Sequence, residues 1–387
     1  MPTTYQGYSQ QQWARLINTT LAEHRRTLEE NMLRNYQFGA LLESNGRVTY
    51  GHGGNGFDWP VQFKLAPVSG NTGEQTRNFV RRNYDKLAYL DWRGYEATDS
   101  MTRFEFLANR GEEGIIKIMD RMKTNLERSL KQHFGTQYFV DGNATGNETC
   151  WHGFESMMGL NTSLDTIPTS GAGAQAANQG DPVANPSDTY AGISTVLGTY
   201  GGETSTTVGW PAGSADPEYD FWSPLVVIYD STFFGATDDT FDKGHKAIRF
   251  GLTHAQSNAG GLDGQITNVM LDRSLYYEFK NIQDAKEEIV VDNASQGTLR
   301  SLGFRNTFIF DGVEVGYESG VPARVGYGFN INQIELASMD DTLLVTEAEW
   351  DYRTQSYNAV VGTLSNLAFT SGPRNIFKLV EYDTVSA

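Results

Sequence analysis

The sequence has 387 residues, room for two or three ordinary domains, and is 39% hydrophobic and 12% aromatic; that composition excludes a disordered chain and supports a packed core without disulfides or metal. Its 30 basic and 47 acidic residues leave a net charge of −17, which disfavours a chain that grips nucleic acid or an anionic membrane, though it allows one that sits near DNA without holding it. The single cysteine, Cys150, excludes an intrachain disulfide, and the opening MPTTYQGYSQQQW has neither a basic n-region nor an apolar h-region. No run approaches the ~18 apolar residues of a membrane-spanning helix, so the expected setting is a cytosol or a particle assembled in one.

Residues 8–34 read as an amphipathic helix. Trp13, Leu16, Ile17, Thr20, Leu21, His24, Leu28 and Met32 recur at steps of three and four, and Arg15, Glu23, Arg25, Arg26, Glu29 and Glu30 fill the other face. This helix either docks on its own domain or lies as an arm on a neighbouring molecule. A short apolar stretch, Tyr36 to Leu42, follows. Over 47–98 the pattern changes to period two: Arg47–Tyr50, Phe57–Phe63, Leu87–Trp92 and Gly94–Thr98 alternate like strands, with GHGGNG and the Gly70, Asn71, Gly73 region as turns. A two-armed ribbon rich in Trp, Tyr and Arg makes a poor private core and needs something to lie on. Its candidate contact residues are Phe57, Trp59, Phe63, Arg81, Arg82, Trp92 and Arg93, joined by Trp13 and Leu16 of the arm, because Trp, Tyr and Arg dominate interface hot spots. The plainer reading of the arginines is solvated charge that protects an edge strand.

Thr102 and Glu105 have the spacing of a capping box. They open a helix predicted to run to about Tyr138, with Gly111 and Gly114 able to bend its first turns. Ile115, Ile118, Met119, Met122, Leu126, Leu130, His133 and Phe134 form its apolar stripe, and Glu113–Lys117 and Glu127–Lys131 are predicted i,i+4 pairs. At 1.5 Å per residue such a helix is roughly 40–50 Å long, a spine rather than an ordinary globular helix. Residues 141–220 are rich in Gly, Ala, Ser, Thr and Asn and read as loops decorating an inserted domain. Beyond them, Ser223–Tyr229, Leu271–Phe279, Thr307–Tyr317 (hinged at Asp311-Gly312), Asn330–Leu336, Leu343–Tyr352, Ala359–Phe369 and Asn375–Tyr382 read as strands. No internal repeat is visible.

Gly51-x-Gly53-x-x-Gly56 matches a dinucleotide-binding string, but Phe57-Asp-Trp-Pro follows where a helix must open, so it reads as a turn. There is no P-loop and no GxSxG, and His24, His52, His133, His152, His245 and His254 show no metal-site spacing. Asp238, Asp239 and Asp242 lack the calcium-loop pattern and read as a solvated turn. Glu347 and Glu349 share one face of a predicted strand, which favours solvated charge over a catalytic pair. No catalytic residue, cofactor or metal ligand is nominated, and an enzyme is not expected.

The order of helix arm, long ribbon, spine helix, Gly-rich insertion and returning strands resembles the Hong Kong 97-type fold of tailed-bacteriophage major capsid proteins, an α+β class. Local strings carry the same resemblance: Asn35-Tyr-Gln-Phe38 with Leu41-Leu-Glu-Ser-Asn-Gly46, Leu90-Asp-Trp-Arg-Gly-Tyr95 with Thr98-Asp-Ser100, Asn109-Arg-Gly-Glu-Glu113, Val140-Asp-Gly-Asn-Ala-Thr-Gly-Asn147 and His152-Gly-Phe-Glu155. It spans nearly the whole chain and is clearest over 35–155. The resemblance implies an N-terminal arm at 1–46, an extended loop at 47–100, a peripheral domain from 101–155 with 343–387, and an axial domain at 156–342. It also implies a non-enzymatic subunit that assembles with itself into pentamers and hexamers of an icosahedral virion capsid, built in the host cytoplasm around DNA bound without sequence specificity. Portal, decoration and scaffolding proteins are the implied partners. A separate scaffolding chain, or none, is implied, since few residues precede Trp13. Some relatives join Lys to Asn between subunits; Lys64 lies in the ribbon, but the sequence nominates no partner. An encapsulin-type compartment shares the fold and is the alternative. A β-rich carbohydrate-active enzyme would need a pocket with perturbed carboxylates, and a tail-tube protein has little use for a spine helix.

Overall fold

The computed structural model describes residues 36–66, 81–108, 112–158, 183–184, 188–196, 198–202, 217–229, 244–258, 264–286 and 307–381, with single positions at 68, 70, 73, 79 and 302. The arm helix expected at 8–34, including Trp13 and Leu16, lies outside the described residues, as do Asp238, Asp239 and Asp242 and the segments 159–182 and 203–216. The chain divides into two compact units. One takes its described residues from 94–134 and 342–363, the other from 36–93, 135–341 and 364–381.

In the first unit the capping box forms as its spacing predicts. The Glu105 carboxylate accepts from the Thr102 amide at 3.0 Å and the Thr102 hydroxyl at 3.2 Å, and that hydroxyl accepts from the Glu105 amide at 3.4 Å. Helix Arg103–Ala108 starts there, and the long helix Glu112–Gln137 follows. Met122, Leu126, Leu130 and Phe134 are the buried stripe, and the ring of Tyr95, on strand Arg93–Thr102, stands 5.9 Å from that of Phe134. Glu127 pairs at 3.8 Å with Lys123, four residues before it, rather than with Lys131. Strand Val345–Asp351 pairs antiparallel with the first half of Ser356–Phe369, from Val345 opposite Gly362 to Asp351 opposite Ser356. The turn between them presents the Gln355 carbonyl to the Arg103 amide at 2.8 Å.

The second unit is built on a mixed sheet, seven-stranded among the described residues. Its order is Thr307–Phe310, Val313–Tyr317, Asn268–Leu271, Val325–Phe329, Phe377–Glu381, Leu225–Tyr229, Val183–Ala184. The C-terminal strand lies between an antiparallel and a parallel neighbour, which ties 377–381 to this unit. Because side chains alternate across a strand, the sheet has two distinct faces. One, with Leu225, Val227, Val269, Leu271, Val315, Phe377 and Leu379, packs on Ala247, Ile248 and Ala255 of helix Gly244–Asn258 and on Leu275, Tyr276 and Phe279 of helix Arg273–Lys286. On the other, Tyr327 and Phe329 enter an aromatic cluster centred on Phe154, whose ring lies 4.9–5.6 Å from those of Phe139, Tyr327, Phe329, Phe38 and Phe369. Within it, buried Lys378 and Glu155 form an ion pair at 2.7 Å, and the Tyr327 hydroxyl donates to the same carboxylate.

The hairpin hinged at Asp311-Gly312 forms as the sequence predicts. Both turn residues have positive φ, 48° and 83°, the type I′ geometry that matches strand twist. One expectation is corrected. The predicted strand Leu271–Phe279 is a strand only to Leu271; Arg273–Lys286 is helical. Asp272 stops the strand and caps the helix. Its carboxylate accepts from the Ser274 hydroxyl, and its carbonyl accepts from the Tyr276 amide at 2.9 Å. The region 141–220, read as loops, also contributes core: Trp151, Phe154, Met157, Met158 and Tyr190 are fully buried.

Helix Gln37–Ser44 starts against an acidic partner. The Glu318 carboxylate accepts from the amides of Gln37 at 2.5 Å and Phe38 at 2.8 Å. Burial outweighs these bonds and pushes the Glu318 carboxyl up from 4.5 to about 7. A carboxyl whose pKa rises on folding binds its proton more tightly when native, so its contribution to stability is fullest below pH 4.5 and declines as pH climbs to 7. Replacing Glu318 by Gln should remove up to about 3 kcal/mol of that pH dependence. Denaturant unfolding of both proteins between pH 5 and 8 measures it; parallel curves would contradict this account.

Candidate subunit interface

The ribbon consists of strands Gly56–Gln62 and Asp85–Asp91, paired antiparallel from Gly56 opposite Asp91 to Gln62 opposite Asp85. Period-two alternation gives it two unlike faces. On the inner face Trp59 is 9% exposed, and Ala88 and Leu90 are buried. On the outer face Asp58, Pro60, Leu87, Tyr89 and Asp91 meet solvent. Pro60 is tolerated because a two-stranded ribbon has only edge strands.

At its root the ribbon is held by aromatic and polar contacts. The Phe57 ring lies 5.3 Å from His52, 5.5 Å from Trp59 and 6.4 Å from Trp92, and the Trp92 indole N–H donates to the Gly54 carbonyl at 3.1 Å. Asn366 donates through Nδ2 to the Asp91 carbonyl at 2.6 Å and to His152 Nδ1 at 2.8 Å. Burial, and then the nearby Arg93 guanidinium, push His152 down to about 4, so the ring is neutral at neutral pH and can accept that bond. The Tyr89 amide donates to the Ala191 carbonyl at 3.1 Å.

Further out lies a neck. The Phe63 ring stands 5.8 Å from Phe221, Lys64 Nζ lies 2.6 and 2.7 Å from the two Glu218 carboxylate oxygens, and Lys86 Nζ sits 3.5 Å above the Tyr200 ring. The receiving surface depends on glycine. Gly198 donates to the Tyr219 carbonyl at 2.9 Å, and a Cβ at Gly202, where φ is 92°, would stand 2.5 Å from the Tyr219 nitrogen. Beyond the neck the apolar side chains are bare: Leu65 is 65% exposed, Val68 98% and Phe79 87%.

The expectation that the ribbon's aromatics find no partners in their own molecule is thus corrected. Phe57, Trp59, Phe63 and Trp92 pack within this unit, and Arg93 reaches 3.5 Å from His152. Arg81 and Arg82 are exposed. The sequence reading missed Leu65 and Phe79, which border the turn-rich stretch 66–78, and Val68 within it. It also missed Glu218 as the partner of Lys64 and Tyr200 as a partner of Lys86, each more than a hundred residues away. Gly56 opens a strand, as the dinucleotide string's context predicted, and Glu347 and Glu349 are exposed. Among the described residues, no three His, Cys, Asp or Glu side chains are grouped as a metal site, and no helix is long and apolar enough to cross a membrane.

No family model matches the sequence, and no curated protein matches it. Solved structures do. The chain is similar to the capsid asymmetric unit of cyanophage A-1(L), with a TM-score of 0.59 and 13% identity over 93% of this chain and 96% of that one. It is similar to the capsid of a native GTA particle, at 0.50 and 11% over 93% and 97%. It is also similar to the capsid of cyanophage P-SCSP1u, at 0.50 and 12% over 92% and 91%. The chain has the fold of these capsid subunits.

Root and tip should respond differently to truncation. Trp59→Ala should cost about 3 kcal/mol or more, whereas Phe79→Ala should change stability by less than about 0.5 kcal/mol. Denaturant unfolding of the unassembled protein checks both; a large loss at Phe79 would mean that the tip is packed within its own chain.

Proposed function

We propose that the chain is a structural subunit of a Hong Kong 97-type icosahedral shell and catalyses nothing. The observation that carries this reading is the bare apolar tip of a ribbon whose root is packed. Leu65, Val68 and Phe79 are exposed on a ribbon anchored by buried Trp59 and by Asn366, and exposed apolar groups at the end of an extended element are a surface waiting for a partner. The fold likeness over 93% of the chain to a capsid subunit supports a second copy as that partner. In this reading pentamers and hexamers tile a virion capsid assembled in the host cytoplasm. The ribbon plays the extended loop, with Arg81 and Arg82 at its contact with the next copy, and the undescribed arm with Trp13 and Leu16 lies on a neighbour. Portal, scaffold and decoration proteins complete the particle. The net charge of −17 suits an inner surface that encloses DNA without gripping it. Small contacts repeated over many copies make such assembly cooperative.

Expression of the chain alone, followed by sizing and electron microscopy, tests this reading. Hollow particles or capsomers are expected. The double variant Leu65→Asp, Phe79→Asp should keep the wild-type melting temperature and lose assembly. A wild-type chain that stays monomeric at high concentration would overturn the proposal. Particles that carry protein cargo instead of DNA would turn it into the compartment reading.

A further inference from the structure

We infer that Lys64, Lys86, Tyr200 and Glu218 form a clasp that aims the ribbon, holding its neck rigid so that the apolar tip is presented in one direction before any neighbour arrives. The inference rests on the shell reading for its consequence, but the clasp itself is a property of the single subunit. Four contacts converge where the strands end. Lys64 follows the first strand by two residues and meets both oxygens of Glu218 at 2.6 and 2.7 Å, with Glu218 largely buried. Lys86 lies on the second strand, opposite Val61, and its ammonium sits 3.5 Å above the Tyr200 ring and 5.3 Å above that of Phe63. Phe63 closes on Phe221 at 5.8 Å. Both strands are therefore gripped, one by an ion pair and the other by a cation over aromatic faces.

The position of the grip matters. It falls at the end of the paired ribbon, from Lys86 in the penultimate pair to Lys64 just past Gln62, and before Leu65, the first of the bare apolar side chains. A two-stranded ribbon is marginally stable alone, so an ungripped neck would let the tip sample many directions. Each direction given up on binding costs conformational entropy. A neck fixed in advance removes that cost from the assembly step. The receiving segment is shaped for this. Gly198 and Gly202 lie against Tyr219 too closely for a Cβ at either position to fit without movement; between them the Tyr200 ring stands 5.5 Å from that of Phe221 and Gly201 lies against the Glu218 carboxylate.

The test compares the wild type with the double variant Lys64→Met, Lys86→Met, which keeps the aliphatic stems, and with the charge swap Lys64→Glu, Glu218→Lys. Hydrogen exchange of the unassembled subunit reads the clasp directly. In the double variant the amides of 56–62 and 85–91 should exchange roughly tenfold faster, the equivalent of one modest interaction lost, while those of 268–271 stay unchanged. Assembly followed by sizing should need a roughly tenfold higher subunit concentration. The charge swap should restore both. Unchanged exchange in the double variant would overturn the clasp. Faster exchange with an unchanged assembly threshold would overturn its aiming role while leaving the shell reading intact. A swap that restores neither would show that the ion pair is not what holds the neck. A wild type that fails to assemble sinks the shell reading, yet the exchange result still decides the clasp. Should the double variant not fold, exchange of the wild type in about 1 M salt reads the same ion pair; ribbon amides that remain as protected as in low salt would overturn it.

Discussion

The rest of the structure depends on a division within one short ribbon: its inner face is buried in its own unit, while its tip is left bare. Trp59, Ala88 and Leu90 are covered; Leu65, Val68 and Phe79 are not. Burying apolar surface stabilises by roughly 25 cal/mol per Å², so the root needs no other molecule and the tip gains from one. An element that is rigid where it leaves the fold and apolar where it ends is suited to bind without first paying to be ordered.

The core of the second unit supplies the rigidity. A sheet covered on one face by two helices and on the other by rings around Phe154 leaves little room for rearrangement. Two buried ionisable sites in it are partnered: Lys378 on Glu155, and Glu318 at the start of helix Gln37–Ser44. Removing one member of a buried pair strands the other, so these groups fix a single arrangement of strands around them. The polar bonds of Asn366 transmit that arrangement to the ribbon, since its side chain holds the Asp91 carbonyl and the His152 ring together.

Much of this was legible in the sequence wherever the signal is local. The Thr102–Glu105 box, the stripe Met122, Leu126, Leu130, Phe134 and the Asp311-Gly312 turn each lie within one or a few turns of chain, and period, cap and turn chemistry specify them directly. The ribbon strands were legible by alternation. What failed was of two kinds. At Asp272 the polar break Asp272-Arg273-Ser274 between two apolar stretches, Val269–Leu271 and Leu275–Tyr277, went unrecognised as the end of a strand and the cap of a helix. At Trp59, aromatic density was read as a need for a neighbour, although rings distant in sequence complete one another. Lys64 with Glu218 and Lys86 with Tyr200 are pairings across the fold that no spacing rule reaches. The resemblance to capsid subunits bridged part of that gap by supplying an order of elements rather than contacts.

The most direct test of the central claim is an electron cryomicroscopy reconstruction of particles assembled from the purified chain, with the ribbon traced from Gly56 to Asp91. The account predicts a root placed on its own subunit and a tip, from Leu65 to Phe79, seated against an adjacent copy. A closed particle in which every tip folds onto its own subunit or stands free in solvent would contradict it.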